Sequence, residues 1–253
     1  MRTSATSIPS ARRSPSAAPR HRLLLLLVAL LSMASLATGC SGPRGAAGDH
    51  ADAATRGVTN VVRSSHDLVA YAAPDTTSAQ RVVPAATPLG SSVALLVTAA
   101  KTDWVQVLVP GRPTGATAWI PAAGLDIRTV TSEIHVDLAT RTLTVRQDGK
   151  VVLTTPAAVG APGTPTPVGR FSVTDKLDTQ DPSGSYGRYA FGLSGRSAVL
   201  TEFAGGDGQI GIHGTDDPSS IGRNVSHGCI RVSNDVMARL NAMLPLGTPV
   251  VVG

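Results

Sequence analysis

One short run of the sequence holds side chains able to carry out acyl transfer. Residues 226–231 read Ser-His-Gly-Cys-Ile-Arg, and a second histidine, His213, lies upstream of them. Cys229 offers a nucleophile, a histidine offers a base, and Arg231 offers a guanidinium that can bind a carboxylate through two parallel hydrogen bonds. Together these residue types predict the transfer of an acyl group through a thioester intermediate.

Cys229 needs a neighbouring base, because a free thiol has a pKa of roughly 8.5 and is mostly protonated at neutral pH. His227 lies two residues away and would share a face with Cys229 if the segment were extended. His213 can reach the sulfur only through the fold, so the sequence leaves both histidines open as the base. A zinc site built from these three residues is a weaker alternative, since the acidic residues show no ligand-like spacing, and we expect no metal.

The excess positive charge of the chain is concentrated at its N-terminus. The 253 residues carry a formal net charge of +5. Residues 1–39 hold five of the 22 basic residues and no acidic residue, which leaves 17 basic and 17 acidic residues in the rest. A neutral remainder lacks the basic surface that nucleic-acid binding requires, so we expect no nucleic-acid partner.

The first 39 residues have the pattern of an export signal. Basic residues precede the apolar run 23–31, which is too short to span a bilayer comfortably, and small residues follow it up to Cys40. Residues 36–40, Leu-Ala-Thr-Gly-Cys, resemble the bacterial lipoprotein box, in which the cysteine is lipidated and becomes the first mature residue. We therefore expect an exported protein, anchored by lipid on Cys40 to the outer face of the cytoplasmic membrane and facing the cell wall. An ordinary signal peptide is the alternative.

Two β-rich domains are predicted to follow a flexible tether. Residues 40–64 are small and polar and lack apolar periodicity, which is typical of a tether. Residues 65–128 alternate short apolar segments with glycine- and proline-rich turns, a pattern that favours a compact β barrel. The passage from Trp104 to Leu125 resembles the bacterial Src-homology-3-like domains that accompany cell-wall enzymes.

Residues 131–253 are predicted to form a second, mostly β domain with one helix. An Asp-Gly pair at residues 148–149 is a hairpin signal between two alternating segments. Residues 175–198 are polar and glycine-rich, and they predict a long loop that covers a functional site. The helix is predicted from Asn234 to Leu244, with Ser233 or Asn234 as its N-cap.

Three blocks of this second domain resemble the catalytic domain of the L,D-transpeptidases, the YkuD-like family. They are residues 166–171 (Thr-Pro-Val-Gly-Arg-Phe), 212–215 (Ile-His-Gly-Thr) and 226–231. The resemblance covers residues 132–252 and implies a β-sandwich-like fold. The expected fold class is therefore mostly β, with a small Src-homology-3-like barrel followed by a β-sandwich catalytic domain.

The resemblance assigns roles to the motif residues. Cys229 is the expected nucleophile and His213 the general base, with the carbonyl of Gly214 holding the other ring nitrogen. His227 would orient the site and help to line the oxyanion pocket. Arg231 is the expected carboxylate clamp.

Three further residues are candidates for supporting roles. Ser226 would support the turn that precedes the cysteine. Two tyrosines of the predicted loop, Tyr186 and Tyr189, would contact the substrate or pack the loop down.

The activity that the resemblance implies is that of a peptidoglycan L,D-transpeptidase. Cys229 would attack the third residue of a stem peptide and expel the terminal D-alanine. An amine of a neighbouring stem would then take the acyl group in a 3→3 cross-link. No cofactor is implied, and penem-type β-lactams are expected to acylate Cys229.

Two alternatives to this activity are a cysteine peptidase, such as an L,D-carboxypeptidase in which water replaces the amine, and a non-catalytic wall-binding lipoprotein. The sequence carries no signal for an oligomeric state.

Overall fold

The computed structural model of the protein describes residues 57–203 and 205–253. They belong to one compact unit. The predicted signal peptide, Cys40 and most of the predicted tether lie outside the described residues. Within the described ranges, no helix has the length and apolar character needed to cross a membrane.

A first sheet occupies the N-terminal part of the described chain. Its seven strands pair antiparallel in the order β3-β2-β6-β5-β4-β1-β7. Most are short and bury side chains at near-alternate positions, because successive residues of a strand point to opposite faces. The strands are β1 (Thr59–Arg63), β2 (Leu68–Tyr71), β3 (Gln80–Val83), β4 (Ala94–Lys101), β5 (Trp104–Leu108), β6 (Thr117–Pro121) and β7 (Asp126–Val130).

The tether predicted for residues 40–64 is wrong over its last residues. Thr59–Arg63 form strand β1, which pairs with both β4 and β7. Val61 and Val62 on this strand are fully buried. In the sequence, two adjacent valines after small polar residues are too short an apolar segment to predict a strand. Packing against two neighbouring strands orders this segment in the folded protein.

A second sheet follows, with eight described strands in the order β10-β9-β8-β17-β12-β13-β14-β16. A separate parallel pair joins β11 to β15. The predicted hairpin is confirmed, since Asp148 and Gly149 both have positive φ (51° and 75°), as a two-residue type I′ turn requires. The strands are β8 (Ser132–Asp137), β9 (Thr142–Gln147), β10 (Lys150–Pro156), β11 (Val159–Gly160), β12 (Gly169–Asp178), β13 (Tyr189–Arg196), β14 (Gln209–His213), β15 (Asn224–Ser226), β16 (Ile230–Arg231) and β17 (Pro249–Val252).

The long loop predicted for residues 175–198 is wrong at both ends. β12 continues to Asp178 and β13 begins at Tyr189, which leaves residues 179–188 as the connection. Two of the glycines that suggested a loop, Gly192 and Gly195, are instead points of close approach inside the sheet. A side chain at Gly195 would meet the ring of Phe171 at 2.7 Å, and one at Gly192 would meet Gln209 at 2.6 Å. Glycine in a strand interior often marks such an approach.

The predicted helix is confirmed and is the one α-helix in the part of the chain that the structure describes. Helix α1 spans Asn234–Met243, and the Ser233 hydroxyl accepts a hydrogen bond from the amide of Val236. At the other end, the Lys176 ammonium donates to the carbonyls of Asn241 and Leu244, at 2.7 and 2.8 Å. A cation at the C-terminus of a helix satisfies carbonyls that have no partner within the helix.

Each sheet has its own hydrophobic core, and one leucine packs against both regions. The first sheet buries a cluster that includes Leu95 and Val107, and the second buries a larger cluster that includes Phe191. Leu246 packs against the second core and also against a small cluster that includes Leu96, on the other face of the first sheet. The two sheets therefore share apolar contacts.

Substitution of Gly195 by alanine tests the packing of β13. The new methyl group would lie 2.7 Å from the buried ring of Phe171, which has little room to move. We expect Gly195→Ala to lower the free energy of unfolding by roughly 1–3 kcal/mol, the usual cost of overpacking a core. Urea denaturation measures this change. Gly163→Ala is the control, because nothing lies within 4 Å of its added carbon, and equal losses in both variants would contradict the packing argument.

Candidate active site

The site is assembled by two neighbouring parallel strands. β14 pairs with β16 in a register that sets Ile212 opposite Ile230 and His213 opposite Arg231. The amide of Val232 donates to the carbonyl of His213 at 3.0 Å, which extends the pairing. Cys229 comes immediately before β16, so the strand pairing brings it to the same edge as His213.

A tight turn presents the cysteine. The buried Ser226 hydroxyl donates to the carbonyl of Cys229 at 2.5 Å and accepts from the amide of Gly228 at 3.1 Å. Gly228 has a φ of +114°, which a residue with a side chain rarely adopts, and an added carbon would lie 3.0 Å from Ile210. Because the Gly228 amide is already bonded to Ser226, it is not free to stabilise an oxyanion.

His213 is held in one orientation and one tautomer. Its side chain is buried, with 4% of the residue exposed, and Nδ1 lies 2.6 Å from the carbonyl oxygen of Gly214. A carbonyl can only accept, so Nδ1 carries the proton and Nε2 keeps a lone pair. His213 therefore has the form that a general base needs.

Burial keeps the base and the thiol uncharged. Loss of solvent lowers the pKa of His213 from 6.5 to about 4, helped by the charge of Arg231 and opposed by the hydrogen bond to Gly214. Burial likewise raises the pKa of the Cys229 thiol, against the smaller opposing effects of a backbone hydrogen bond from Gly211 and the Arg231 charge. At neutral pH the resting site holds a thiol and a neutral imidazole, and the thiolate forms only as the proton is transferred.

A cleft of about 300 Å³ opens over these groups. Cys229, His213 and Arg231 all line it, together with Ser226 and His227. Arg231 Nε is buried without a hydrogen-bond partner in the described part of the chain. A buried guanidinium nitrogen that is free to donate fits a carboxylate ligand in this cleft.

The two predicted tyrosines lie in different places. The Tyr186 ring lies 4.6 Å from the His213 ring, centroid to centroid, and Tyr186 lines the cleft. Tyr189 does not line it, and the prediction that it contacts substrate is not supported by its position. Tyr189 starts β13, where its ring packs against the core of the second sheet and under the guanidinium of Arg188, 5.2 Å away.

His227 lies at the mouth of the cleft and is exposed. Its ring is 5.0 Å from that of Phe203, at an angle of 31°. The extended backbone that would put His227 and Cys229 on one face does not form, because the positive φ of Gly228 turns the chain between them. The geometry favours His213 as the base.

Asn234 is a positioning residue that the sequence indicated only as a helix cap. Its side-chain oxygen accepts from the amide of Thr215 at 2.9 Å, and its side-chain nitrogen donates to the carbonyl of Pro182 at 3.4 Å. Side chains at Gly187 or Gly214 would collide with Asn234. Asn234 thus joins the connection 179–188 to the turn whose carbonyl orients His213. The local feature of the sequence that points to this arrangement is Gly214, directly after His213.

Among the described residues, no group of three or more His, Cys, Asp or Glu side chains is arranged to hold a metal ion.

The profile of the L,D-transpeptidase catalytic domain, YkuD, matches residues 131–252. YkuD of Bacillus subtilis, which is assigned to the L,D-transpeptidases, is 33% identical over 147 residues, or 58% of this chain and 74% of that protein. The chain belongs to the L,D-transpeptidase family. The YkuD protein of Bacillus licheniformis is 38% identical over 122 residues, or 48% of this chain and 66% of that protein. A solved L,D-transpeptidase from Mycobacterium smegmatis is 22% identical, with a TM-score of 0.41, over 64% of this chain and 91% of that one.

The buried imidazole of this L,D-transpeptidase makes its stability depend on pH. The unfolded chain binds a proton on this residue near pH 6.5, the folded chain only near pH 4, so acid favours unfolding between these values. We expect the free energy of unfolding to fall by about 2 kcal/mol more between pH 7 and pH 5 in the wild type than in His213→Gln. Urea denaturation at the two pH values measures the difference, and equal losses would show that His213 is not buried in its neutral form.

Proposed function

We propose that the protein is a peptidoglycan L,D-transpeptidase that forms 3→3 cross-links between stem peptides. One observation carries the proposal. A buried, neutral imidazole with a fixed tautomer lines the same cleft as the thiol, and a guanidinium nitrogen in that cleft lacks a partner in the described residues. A wall-binding module would need neither the thiol nor the oriented base.

Acylation follows from the protonation states of the two groups. Nε2 of His213 takes the proton from the Cys229 sulfur as the sulfur attacks the carbonyl carbon of the third residue of the donor stem. The tetrahedral intermediate collapses, the bond to the nitrogen of the terminal D-alanine breaks, and His213 returns the proton to that nitrogen. The products are a thioester on Cys229 and free D-alanine.

Deacylation repeats the proton transfers with an amine as the attacking group. The side-chain amine of a neighbouring stem attacks the thioester carbon, and His213 accepts its proton. The carbon–sulfur bond then breaks, and His213 passes the proton to the sulfur, which regenerates the Cys229 thiol. When water attacks instead, the same residues give a carboxypeptidase. The choice between the two reactions depends on how well the site holds an acceptor amine.

Arg231 is proposed to bind the C-terminal carboxylate of the donor stem. Its Nε is buried and unpartnered within the described chain, and it lines the same cleft as Cys229. A charge-assisted hydrogen bond to a carboxylate would fix the scissile bond relative to the sulfur. Ser226 would hold the turn, and His227 would help to orient the site at the mouth of the cleft.

Removal of the nucleophile tests this function. The purified protein is incubated with a carbapenem and, separately, with a tetrapeptide donor stem with and without an amine acceptor. We expect one carbapenem adduct by intact-mass spectrometry and a cross-linked product by chromatography. Cys229→Ala should give neither, with at least a thousandfold loss of turnover, because no other group replaces the sulfur.

The control for this test is Ser172→Ala, which removes a buried hydroxyl that does not line the cleft. It should keep both reactions. Hydrolysis without transfer in the wild type would replace the transpeptidase with a carboxypeptidase. Absence of any adduct or turnover would favour the wall-binding alternative.

We also propose that the first sheet is a bacterial Src-homology-3-like domain and that the chain is exported and anchored by lipid on Cys40. The resemblance of residues 104–125 to such domains supports the first part. The basic residues, the apolar run 23–31 and the lipoprotein box at residues 36–40 support the second. An anchored enzyme would face the peptidoglycan that supplies its substrates.

Metabolic labelling tests the anchor. We expect the wild type, expressed in a bacterial host with an alkyne-bearing fatty acid, to carry the label and to sediment with membranes. Cys40→Ser should lose both properties. Cys229→Ser is the matched control, because it removes the other of the two cysteines and should keep the label. Label on Cys40→Ser, or none on the wild type, would contradict lipidation at this residue.

A further inference from the structure

The connection between β13 and β14 contributes to the wall of the cleft that Cys229 lines. It runs from residue 197 to residue 208 and is described except at residue 204. Four of its residues line the cleft, namely Ser197, Leu200, Phe203 and Gly208. Part of the proposed donor site is therefore built from a segment outside the three blocks that identify the family.

The base of this connection is closed within the catalytic sheet. The amide of Ser197 donates to the carbonyl of Gly208 at 2.8 Å. The buried Ser197 hydroxyl accepts from the amides of Val199 and Leu200, at 3.2 and 3.0 Å. A side chain at Gly208 would collide with the Leu200 carbonyl oxygen, so the two ends of the connection lie close together.

Phe203 lies near the middle of the connection, between two arms that pass through Leu200 and Asp207. It exchanges two backbone hydrogen bonds with Gly206, each 2.9 Å long, which turn the chain. Its ring lies 5.0 Å from the ring of His227, centroid to centroid. Since Phe203 is 39% exposed, burial does little to fix it, and its position in the cleft depends on how the two arms are held.

Arg112 of the first sheet bonds to both arms. It lies in the connection between β5 and β6, and its Nη2 atom donates to the carbonyl oxygens of Leu200 and Asp207, at 2.9 and 3.3 Å. A guanidinium carries its donors in a fixed plane, so one nitrogen can hold two carbonyls at a set separation. The two arms are therefore tied together on either side of Phe203.

The turn that carries Arg112 is itself fastened to the end of β13. The amide of Gly111 donates to the carbonyl of Ser194 at 3.1 Å. The Thr114 hydroxyl accepts from the amide of Arg196 at 3.0 Å and donates to the carbonyl of the same residue at 3.2 Å. Hydrogen bonds on both sides of Arg112 thus hold its backbone against the strand from which the connection departs.

Arg196 supports one arm from within the catalytic sheet. Its buried guanidinium donates to the carboxylate of Asp207 at 2.6 Å and to the carbonyls of Leu193 and Gly195. It makes no hydrogen bond to the Leu200 arm among the described residues. In that part of the chain, Arg112 is the one side chain that bonds to both arms.

We propose that Arg112 is a positioning residue for the donor stem, which sets from the first sheet the wall that Leu200 and Phe203 form. The proposal rests on the transpeptidase function proposed above. Arg112 does not line the cleft and acts through the two backbone carbonyls that it binds. A donor stem whose carboxylate is bound by Arg231 packs against this wall, which limits where the scissile carbonyl lies relative to the sulfur.

Arg112→Ala separates positioning from chemistry. We expect kcat/KM for the tetrapeptide donor to fall roughly tenfold, mainly through KM, because the wall loses its fixed position. Alkylation of Cys229 by iodoacetamide, a reagent too small to need the wall, should stay within about twofold of the wild-type rate. Mass spectrometry of the peptide that carries Cys229 measures this rate.

Two further measurements separate positioning from folding. The midpoint of urea denaturation of Arg112→Ala should stay close to that of the wild type, because the side chain is exposed. Arg112→Lys keeps a cationic donor and should recover most of the lost kcat/KM.

A double-mutant cycle tests whether Arg112 acts through Phe203. Phe203→Ala alone should raise the KM for the donor by a factor similar to that of Arg112→Ala. Once the ring is absent, Arg112→Ala should raise this KM by less than about twofold further, whereas independent effects would multiply.

Arg81→Ala is the matched control, because Arg81 is an exposed arginine on β3, an edge strand of the same sheet. It should leave all these values unchanged. Three results would each overturn the positioning role while the transpeptidase function stands: an unchanged donor KM in Arg112→Ala, an equal fall in its alkylation rate, or multiplying effects in the cycle. A wild type that releases no D-alanine from the donor overturns the proposed function itself.

Discussion

The active site depends on the parallel pairing of β14 with β16. This register sets His213 opposite Arg231 and brings Cys229 to the same edge. It also takes the imidazole out of water, and that desolvation is the main cause of its low pKa. A more exposed histidine would be partly protonated near neutral pH and unable to accept the proton of the thiol. The position and the protonation state of the base therefore have one structural origin.

Small residues make this arrangement possible. Gly214 and Gly187 leave room for Asn234, which ties the connection 179–188 to the turn that orients His213. Gly228 adopts the backbone conformation of the turn that presents Cys229, and it leaves room for Ile210. Glycine is costly in regular structure because it loses more backbone freedom on folding, and here the close contacts that it allows offset that cost.

The first sheet is joined to the catalytic sheet by apolar contacts and by hydrogen bonds. Leu246 packs against both, Thr87 completes the bonding of the buried Asp175, and Arg112 holds the segment that carries Phe203. A buried carboxylate is stable only when its oxygens are hydrogen-bonded, so Thr87 and Asp175 depend on each other. Loss of the first sheet would therefore remove contacts that support the site.

The sequence by itself determined the chemistry and the local structure. The residue types of 226–231 indicate acyl transfer. The type I′ turn at Asp148 and the helix capped by Ser233 follow from short-range preferences of the backbone. The same preferences misassigned both ends of residues 175–198, because glycine and polar residues are typical of loops, whereas Gly195 here lets its strand approach the buried ring of Phe171. Only the tertiary structure decided which histidine is buried in the cleft that Cys229 lines. That outcome depends on the pairing of β14 with β16, two strands that are separate in sequence, and the loss of water that the packing causes is a property of the whole folded molecule.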